Sequence, residues 1–321
     1  MNGVKISGLG KALPNNRMTN EDLAKLVDTS DEWIRTRTGI GSRHISKGET
    51  TTKLAVQAAK EAIEKADLDP LEIDLIIVAT ITPDYIMPST ACMVQEEIGA
   101  DNATAFDITA ACSGFIYGTK IAIEAIKVGS AKNVLVIGAE VLSRAVDWKD
   151  RSTCVLFGDG AGAAIFSKHE KDNIINLYTK SNGRKGNALT LPGRPLSNCH
   201  IENTTTLGYM TMDGQEVYRF ATTVVPMSIQ EVIKDTPYTL DEIDCFILHQ
   251  ANERIMDSVA SRLKVPKEKF FKNLENYGNT SAASIPMALY DAASSLKTGD
   301  KVVLAGFGGG LTWGSILLCW E

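Results

Sequence analysis

The chain lacks most of the marks that would tie it to membranes, metals or nucleic acid. No apolar run approaches the roughly 20 residues that a membrane span needs, and Met1 to Leu13 contains no apolar segment of the secretory-signal kind. There are only four histidines, without metal-type spacing. The six cysteines, at 92, 112, 154, 199, 245 and 319, form no C-x-x-C pair. Basic excess is missing too: the net charge is −6, which argues against a nucleic-acid binder. A cytoplasmic, reduced, metal-free protein is the expectation. What is present is an ordinary globular composition, 44% hydrophobic and 22% charged, over 321 residues. That length suffices for a large core or two domains.

The most informative stretch is Ala110-Ala111-Cys112-Ser113-Gly114-Phe115. A β-like run, Thr104–Thr109, precedes it, and a helix-like segment ending at Gly129 follows. Cys112 therefore belongs at a sharp strand-to-helix turn flanked by small residues. Unpaired N–H groups and the helix dipole favour a thiolate there. An effect of about 2 kcal/mol would bring the thiol pKa to roughly 7. Cys112 reads either as a nucleophile or as a buried small hydrophobe.

A weak internal repeat runs at an offset of 170. Leu71–Val78 resembles Asp241–Leu248, and Gly129 matches Gly299, each glycine followed by a strand (133–138 and 301–306). The same offset carries Cys112 onto Ala282, inside Asn279-Thr280-Ser281-Ala282-Ala283-Ser284. Two halves of similar βα design are expected, each aiming a turn at a shared place. The halves divide as 1–172, carrying the cysteine, and 173–321.

Elsewhere the patterns predict strands at 4–8, 74–80, 245–248 and 315–319. Helices are expected at 19–27, 51–66, 90–98, 214–233 and 252–263. Pro226 should kink or split the fourth of these. Gly158-Asp159-Gly160-Ala161-Gly162-Ala163 fits G-x-G-x-x-A, yet a strand-like run follows it, so a glycine turn between strands is expected, not a dinucleotide site. Residues 182–208, rich in Gly, Pro, Asn and Thr, form either a lid or tunnel wall or a plain surface excursion.

His249 leaves one predicted strand and Asn279 opens a predicted helix. Alone, each is commonly structural. Together with Cys112 at the carboxyl ends of strands they make a site for acyl transfer. Glycine-rich backbone at Gly308–Gly310, with the Cys112 amide, could hold an oxyanion.

Six motifs occur in order: Asp31-Glu32-Trp33 with Thr36–Ile40, Ala111–Phe115, Gly158–Gly162, His249–Asn252, Gly278–Ser284, and Gly308–Gly310 with Thr312–Gly314. Together they resemble β-ketoacyl-acyl carrier protein synthase III over nearly the whole chain. That resemblance implies a thiolase-like α/β fold, five layers αβαβα with two duplicated halves around two mixed sheets, in a homodimer. It implies that Cys112 takes an acyl group from acyl-CoA, with the Cys112 and Gly309 amides as oxyanion hole. His249 and Asn279 would then assist decarboxylation of malonyl-acyl carrier protein, with no cofactor. It further implies CoA contacts at Trp33, Arg37, Thr38, Arg151, Gly214 and Asn252. Gln215 stands where an Asn is familiar. Arg219, Arg254 and Arg262 suit carrier-protein docking or a solvated face, and Met87 an acyl pocket closed from the dimer partner. Rival readings are a relative acting on another acyl-CoA, a papain-like hydrolase, and an inactive scaffold.

Overall fold

The computed structural model describes residues 2–203 and 206–321. Two mixed sheets form its frame. The first runs in the order Gly3–Ala12, Gly160–His169, Asn133–Glu140, Leu75–Ala79, Thr104–Ile108. The second runs Ile174–Ser181, Thr312–Cys319, Lys301–Gly308, Cys245–Leu248. In both, the first three strands are antiparallel and the next pairing is parallel. A fifth strand of the second sheet is reduced to one parallel bridge, Phe246 with Phe270.

The strands alternate between two cores. Leu75 and Ile77, with Val134 and Val136, face the space between the sheets. Ile76 and Val78, with Leu135 and Ile137, face the outer helix Thr51–Ala66. Strands buried on both faces need apolar residues at every position. The helices Gly114–Val128 and Ser284–Ala292 fill the central layer and touch both sheets. Gly214–Ile233 covers the outer face of the second sheet. The result is the five-layer αβαβα arrangement.

The offset of 170 persists in detail. Turns Pro70–Glu72 and Leu240–Glu242 both carry capping boxes. Asp74 Oδ2 accepts from Asn133 N–H at 2.9 Å, and Asp244 Oδ2 from Lys301 N–H at 2.7 Å. Ala111 and Ser281 both adopt left-handed backbone, with φ of 45° and 49°. Each leads into a one-turn 3₁₀ segment, Ala111–Ser113 or Ser281–Ala283, and then a central helix.

Some local expectations are corrected. The helix predicted at 19–27 is only Asn20–Leu23, with Thr19 as its cap. Beyond Leu23 the residues turn outward, Leu26 being exposed, so little burial supports further turns. Pro226 does not split Gly214–Ile233, which is one helix with the proline buried. The final strand starts at Thr312, so the glycine loop shrinks to Gly309–Leu311. Gly158-Asp159 links the short helix Arg151–Cys154 to a strand, not two strands. Buried Asp159 accepts from Ser46 N–H, Ser143 N–H and the Ser143 hydroxyl, which makes this motif a structural clasp.

Candidate active site

Cys112 lies at the meeting point of two chambers. One, of about 220 Å³, is lined by Cys112, His249, Asn279, Phe307 and Gly308 among others. The other, of about 300 Å³, is lined by Cys112, Ile81, Leu142, Met210, Ser281 and Gly309 among others. Leu189 and Phe157 border both. Part of the 182–208 segment is therefore tunnel wall: Leu189, Thr190 and Leu191 line the second chamber, while residues 193–203 are mostly exposed. Residues 204 and 205 lie outside the described residues.

The turn holding Cys112 is fixed by polar contacts and close packing. Ser113 Oγ donates to the Thr312 carbonyl at 3.0 Å. A Cβ on Gly308 would lie 2.7 Å from Cys112 N, so only glycine lets this strand approach the nucleophile turn. Among the described residues, the N–H groups of Cys112 and Gly309 donate to no carbonyl. Both are thus available to an incoming oxygen.

The thiol corrects the sequence expectation. Burial pushes its pKa up to about 12; the Ser281 hydroxyl opposes this and the nearby Glu140 charge adds to it. A dipole worth at most about 2 kcal/mol loses to desolvation, which can shift a fully buried group by about 3–5 pKa units. Desolvation thus favours the thiol form at this site.

His249 follows the Cys245–Leu248 strand, its N–H bonded to the Ala305 carbonyl at 2.8 Å. Its ring meets Phe307 edge-on, with centroids 5.2 Å apart. Burial pushes its pKa down to about 3, so the ring is neutral near pH 7. Gln250 N–H donates to Ser284 Oγ at 2.7 Å, and His249 Nδ1 lies 3.0 Å from that same oxygen. In the tautomer where the serine hydroxyl donates to Nδ1, Nε2–H is the ring's free donor.

Asn279 does not cap a helix. Its backbone bridges to Phe157, through Asn279 N–H to the Leu156 carbonyl and Gly158 N–H to the Asn279 carbonyl. Its Oδ1 accepts from Ser281 N–H at 2.9 Å, which leaves the side-chain NH₂ as a donor. Cys112, His249 and Asn279 therefore line one cavity, which holds two uncharged donors and one sulfur.

Toward solvent the first chamber runs into an open basin of about 480 Å³, lined by Arg37, Gly214, Gln215, Tyr218, Arg219, Asn252 and Arg254. Asn252 caps the Glu253–Leu263 helix and donates to the Arg37 carbonyl at 3.0 Å. Trp33 has the Arg37 guanidinium 4.5 Å and the Arg151 guanidinium 4.8 Å from its ring centroid. Thr38 is buried, donates to the Ile34 carbonyl and accepts from Ile40 N–H, and lines none of these spaces. Arg262 is exposed at the far end of the helix that Arg254 opens, and it does not line the basin. Met87 is 86% exposed and lies in neither chamber of its own chain.

The motif reading gives two neighbours no role. Ser284 orients His249, and Glu140 lies buried beside Cys112. A lone carboxylate ending an apolar strand, Val134–Glu140, was the signal for the second.

Two family models match the chain. One for 3-oxoacyl-[acyl-carrier-protein (ACP)] synthase III matches residues 106–183, and one for the C-terminal part of the same family matches 233–320. A β-ketoacyl-[acyl-carrier-protein] synthase III of Clostridium novyi (strain NT) is 50% identical over 324 residues, covering 100% of both chains. A solved 3-oxoacyl-[acyl-carrier-protein] synthase III from Aquifex aeolicus VF5 superposes with TM-score 0.93 at 50% identity, covering 99% of this chain and 100% of that one. The corresponding structure from Pseudomonas aeruginosa PAO1 gives 0.93 at 36% identity, covering 99% and 98%.

Proposed function

This chain belongs to the 3-oxoacyl-[acyl-carrier-protein] synthase III family, a premise from which we propose how its residues perform the condensation. The enzyme is an acyltransferase of the thiolase-like fold that starts fatty-acid synthesis, joining an acyl-CoA starter to malonyl-acyl carrier protein. The single observation that supports the site assignment is the shared cavity of Cys112, His249 and Asn279.

Acyl-CoA enters by the basin, where Arg37 meets phosphate and Gly214 and Asn252 border the pantetheine arm. Trp33 and Arg151 clamp the adenine. For that, the stacked guanidinium must lift from the ring, since it covers the indole face. Thr38 acts at one remove, fixing the helix end that presents Arg37. Cys112 attacks the thioester, and the amides of Cys112 and Gly309 hold the oxyanion. The acyl group then occupies the second, apolar chamber. Met87 from a second copy of the chain closes it, and the exposed run Tyr85, Ile86, Met87 supports a homodimer.

After CoA leaves, malonyl-acyl carrier protein uses the same entrance. Arg219 and Arg254 attract the acidic carrier, with Arg262 further along that helix. His249 Nε2–H and the Asn279 NH₂ donate to the malonyl thioester carbonyl. They stabilise the enolate that loss of CO₂ generates, and this carbanion attacks the acyl-cysteine. Decarboxylation replaces a strong base, so the scheme draws on no metal or organic cofactor. The boundary near 172/173 separates the nucleophile half from the donor half. All six cysteines are free, which fits a cytoplasmic setting.

Intact-mass measurement after incubation with acetyl-CoA tests the reading. One acetyl group should appear on Cys112 and be absent in Cys112→Ser; label elsewhere, or none, defeats it.

A further inference from the structure

Asn279 is held in place by a neighbouring segment of the first half. Its backbone pairs with Phe157, and glycines flank that pairing on both strands, Gly158 after Phe157 and Gly278 before Asn279. A Cβ on Gly158 would lie 2.2 Å from the Tyr277 carbonyl oxygen. One on Gly278, where φ is 65°, would lie 2.9 Å from the Leu156 carbonyl oxygen. The two segments thus run backbone against backbone, and a shift of residues 155–158 moves Asn279 with them.

Arg43 lies against this seam. It is the largest of the fully buried side chains among the described residues, in the middle of the short strand Ser42–His44. Its Cβ is 3.0 Å from where a Cβ on Gly158 would be and 3.4 Å from one on Gly278, so its stem covers both glycines. Nη2 donates to the Val155 carbonyl at 2.8 Å and Nη1 to Asn20 Oδ1 at 2.8 Å. Val155 caps the helix Arg151–Cys154, so its carbonyl is one that a helix end leaves without an internal partner. The flanking residues grip the same two segments. Ser42 Oγ donates to the Asn276 carbonyl at 3.2 Å, and Asp159 N–H to the His44 carbonyl at 2.8 Å.

Core packing alone does not account for this residue. Among the described residues no carboxylate bonds the guanidinium, and its Nε has no partner. Burying a cation in that way works against stability. What the guanidinium supplies is a planar fork that reaches two acceptors at once, which an ammonium does not. One of those acceptors is itself anchored: Asn20 Nδ2 donates to Asp31 Oδ1 and to the Ile40 carbonyl, both at 2.8 Å. The fork therefore hangs from a fixed point and holds the 155–158 segment.

We propose, on the site assignment above, that Arg43 is a positioning residue for Asn279. Anchored on Asn20, it fixes the segment whose pairing aims the Asn279 amide at the malonyl thioester carbonyl. The Cys112 turn hangs on other contacts, through Ser113 and Gly308, so Arg43 serves the decarboxylation and not the acylation.

The test is a double-mutant cycle read on both half-reactions. Arg43→Met keeps an apolar stem and removes both hydrogen bonds. At saturating acetyl-CoA it should acylate Cys112 within about three-fold of wild type, and release CO₂ from malonyl-acyl carrier protein about 10- to 100-fold more slowly. Added to Asn279→Ala, it should slow CO₂ release by at most about three-fold more, because the group it positions is already gone. Arg43→Lys keeps the charge without the fork and should fall between wild type and Arg43→Met; it carries the same cycle if Arg43→Met does not fold. Losses that multiply in the double variant, or equal losses in acylation and decarboxylation, would mean that Arg43 serves the fold alone and overturn the proposal. Wild-type decarboxylation in Asn279→Ala would instead overturn the site assignment.

Discussion

Two turns sit back to back at the centre of this molecule with the same backbone and opposite chemistry. Ala111–Ser113 and Ser281–Ala283 share a left-handed first residue, a 3₁₀ turn and a following central helix. Even their supports correspond. Gly138 of the first sheet abuts Ala282, and Gly308 of the second, 170 residues on, abuts Cys112. The loads differ. At the offset of 170, Cys112 corresponds to Ala282, Asn279 to Thr109, and His249 to Ala79. One copy carries the nucleophile and the other the donors. Duplication thus supplies two equivalent platforms, and the reaction needs them unequally furnished.

The sharpest way to break this division is to remove a donor. His249→Ala should keep Cys112 acylation and lose about 10²- to 10³-fold in malonyl decarboxylation. Separate assays of acyl-enzyme mass and CO₂ release check it; loss of acylation alone would reverse the roles of the two turns.

Glu140 belongs to the first half and ends a strand that packs on the turn of the second, and its pH signature sharpens that link. Burial pushes its pKa up to about 7 from 4.5. Between these values the folded state binds more protons than the unfolded chain. Its contribution is therefore complete below about 4.5 and lost as pH rises through 7, roughly 3 kcal/mol in all. His249 works the other way: its pKa near 3 makes its contribution present above 6.5 and lost on acidification. Urea titrations at about pH 5 and pH 8 should show Glu140→Gln losing less stability than wild type across that interval. An unchanged slope would contradict the buried-carboxylate account.

The glycine supports give the smallest effect. A Cβ on Gly138 would lie 2.1 Å from the Ala282 carbonyl oxygen, and one on Gly308 2.7 Å from Cys112 N. Both alanine variants should lose about 1–3 kcal/mol of stability, Gly138→Ala the more. Gly308→Ala should also slow acylation, because it displaces an oxyanion amide. Equal stability losses with equal acylation rates would mean that the two turns are not specialised.

Much of this was legible in the chain. The repeat at 170 located both turns because packed βα units preserve spacing, amphipathic patterns delimited 51–66 and 90–98 correctly, and a short apolar run delimited 245–248. What escaped was set by burial across distant segments. Cys112 was expected to ionise easily, because a helix start is visible in sequence and desolvation is not. Glu140 meets Thr80–Thr82 from some 60 positions away, and no local pattern announces that. Thr38 shared a motif with the channel residues, but its hydroxyl is consumed at its own helix end. For residues 182–208 composition left tunnel wall and plain surface excursion open, and only the packing of Leu189 and Leu191 against the chambers separates 189–191 as wall.

The reciprocal glycine contacts also govern how far the halves can drift apart. Each sheet is shaped to the backbone of the opposite turn, and the inter-sheet core mixes Val134 and Phe166 with Ile285, Leu289 and Val302. Excising either repeat would strip the other of the wall against which its central helix rests. The ancestral unit has ceased to be a module: later change on one side can persist only where the facing backbone still fits.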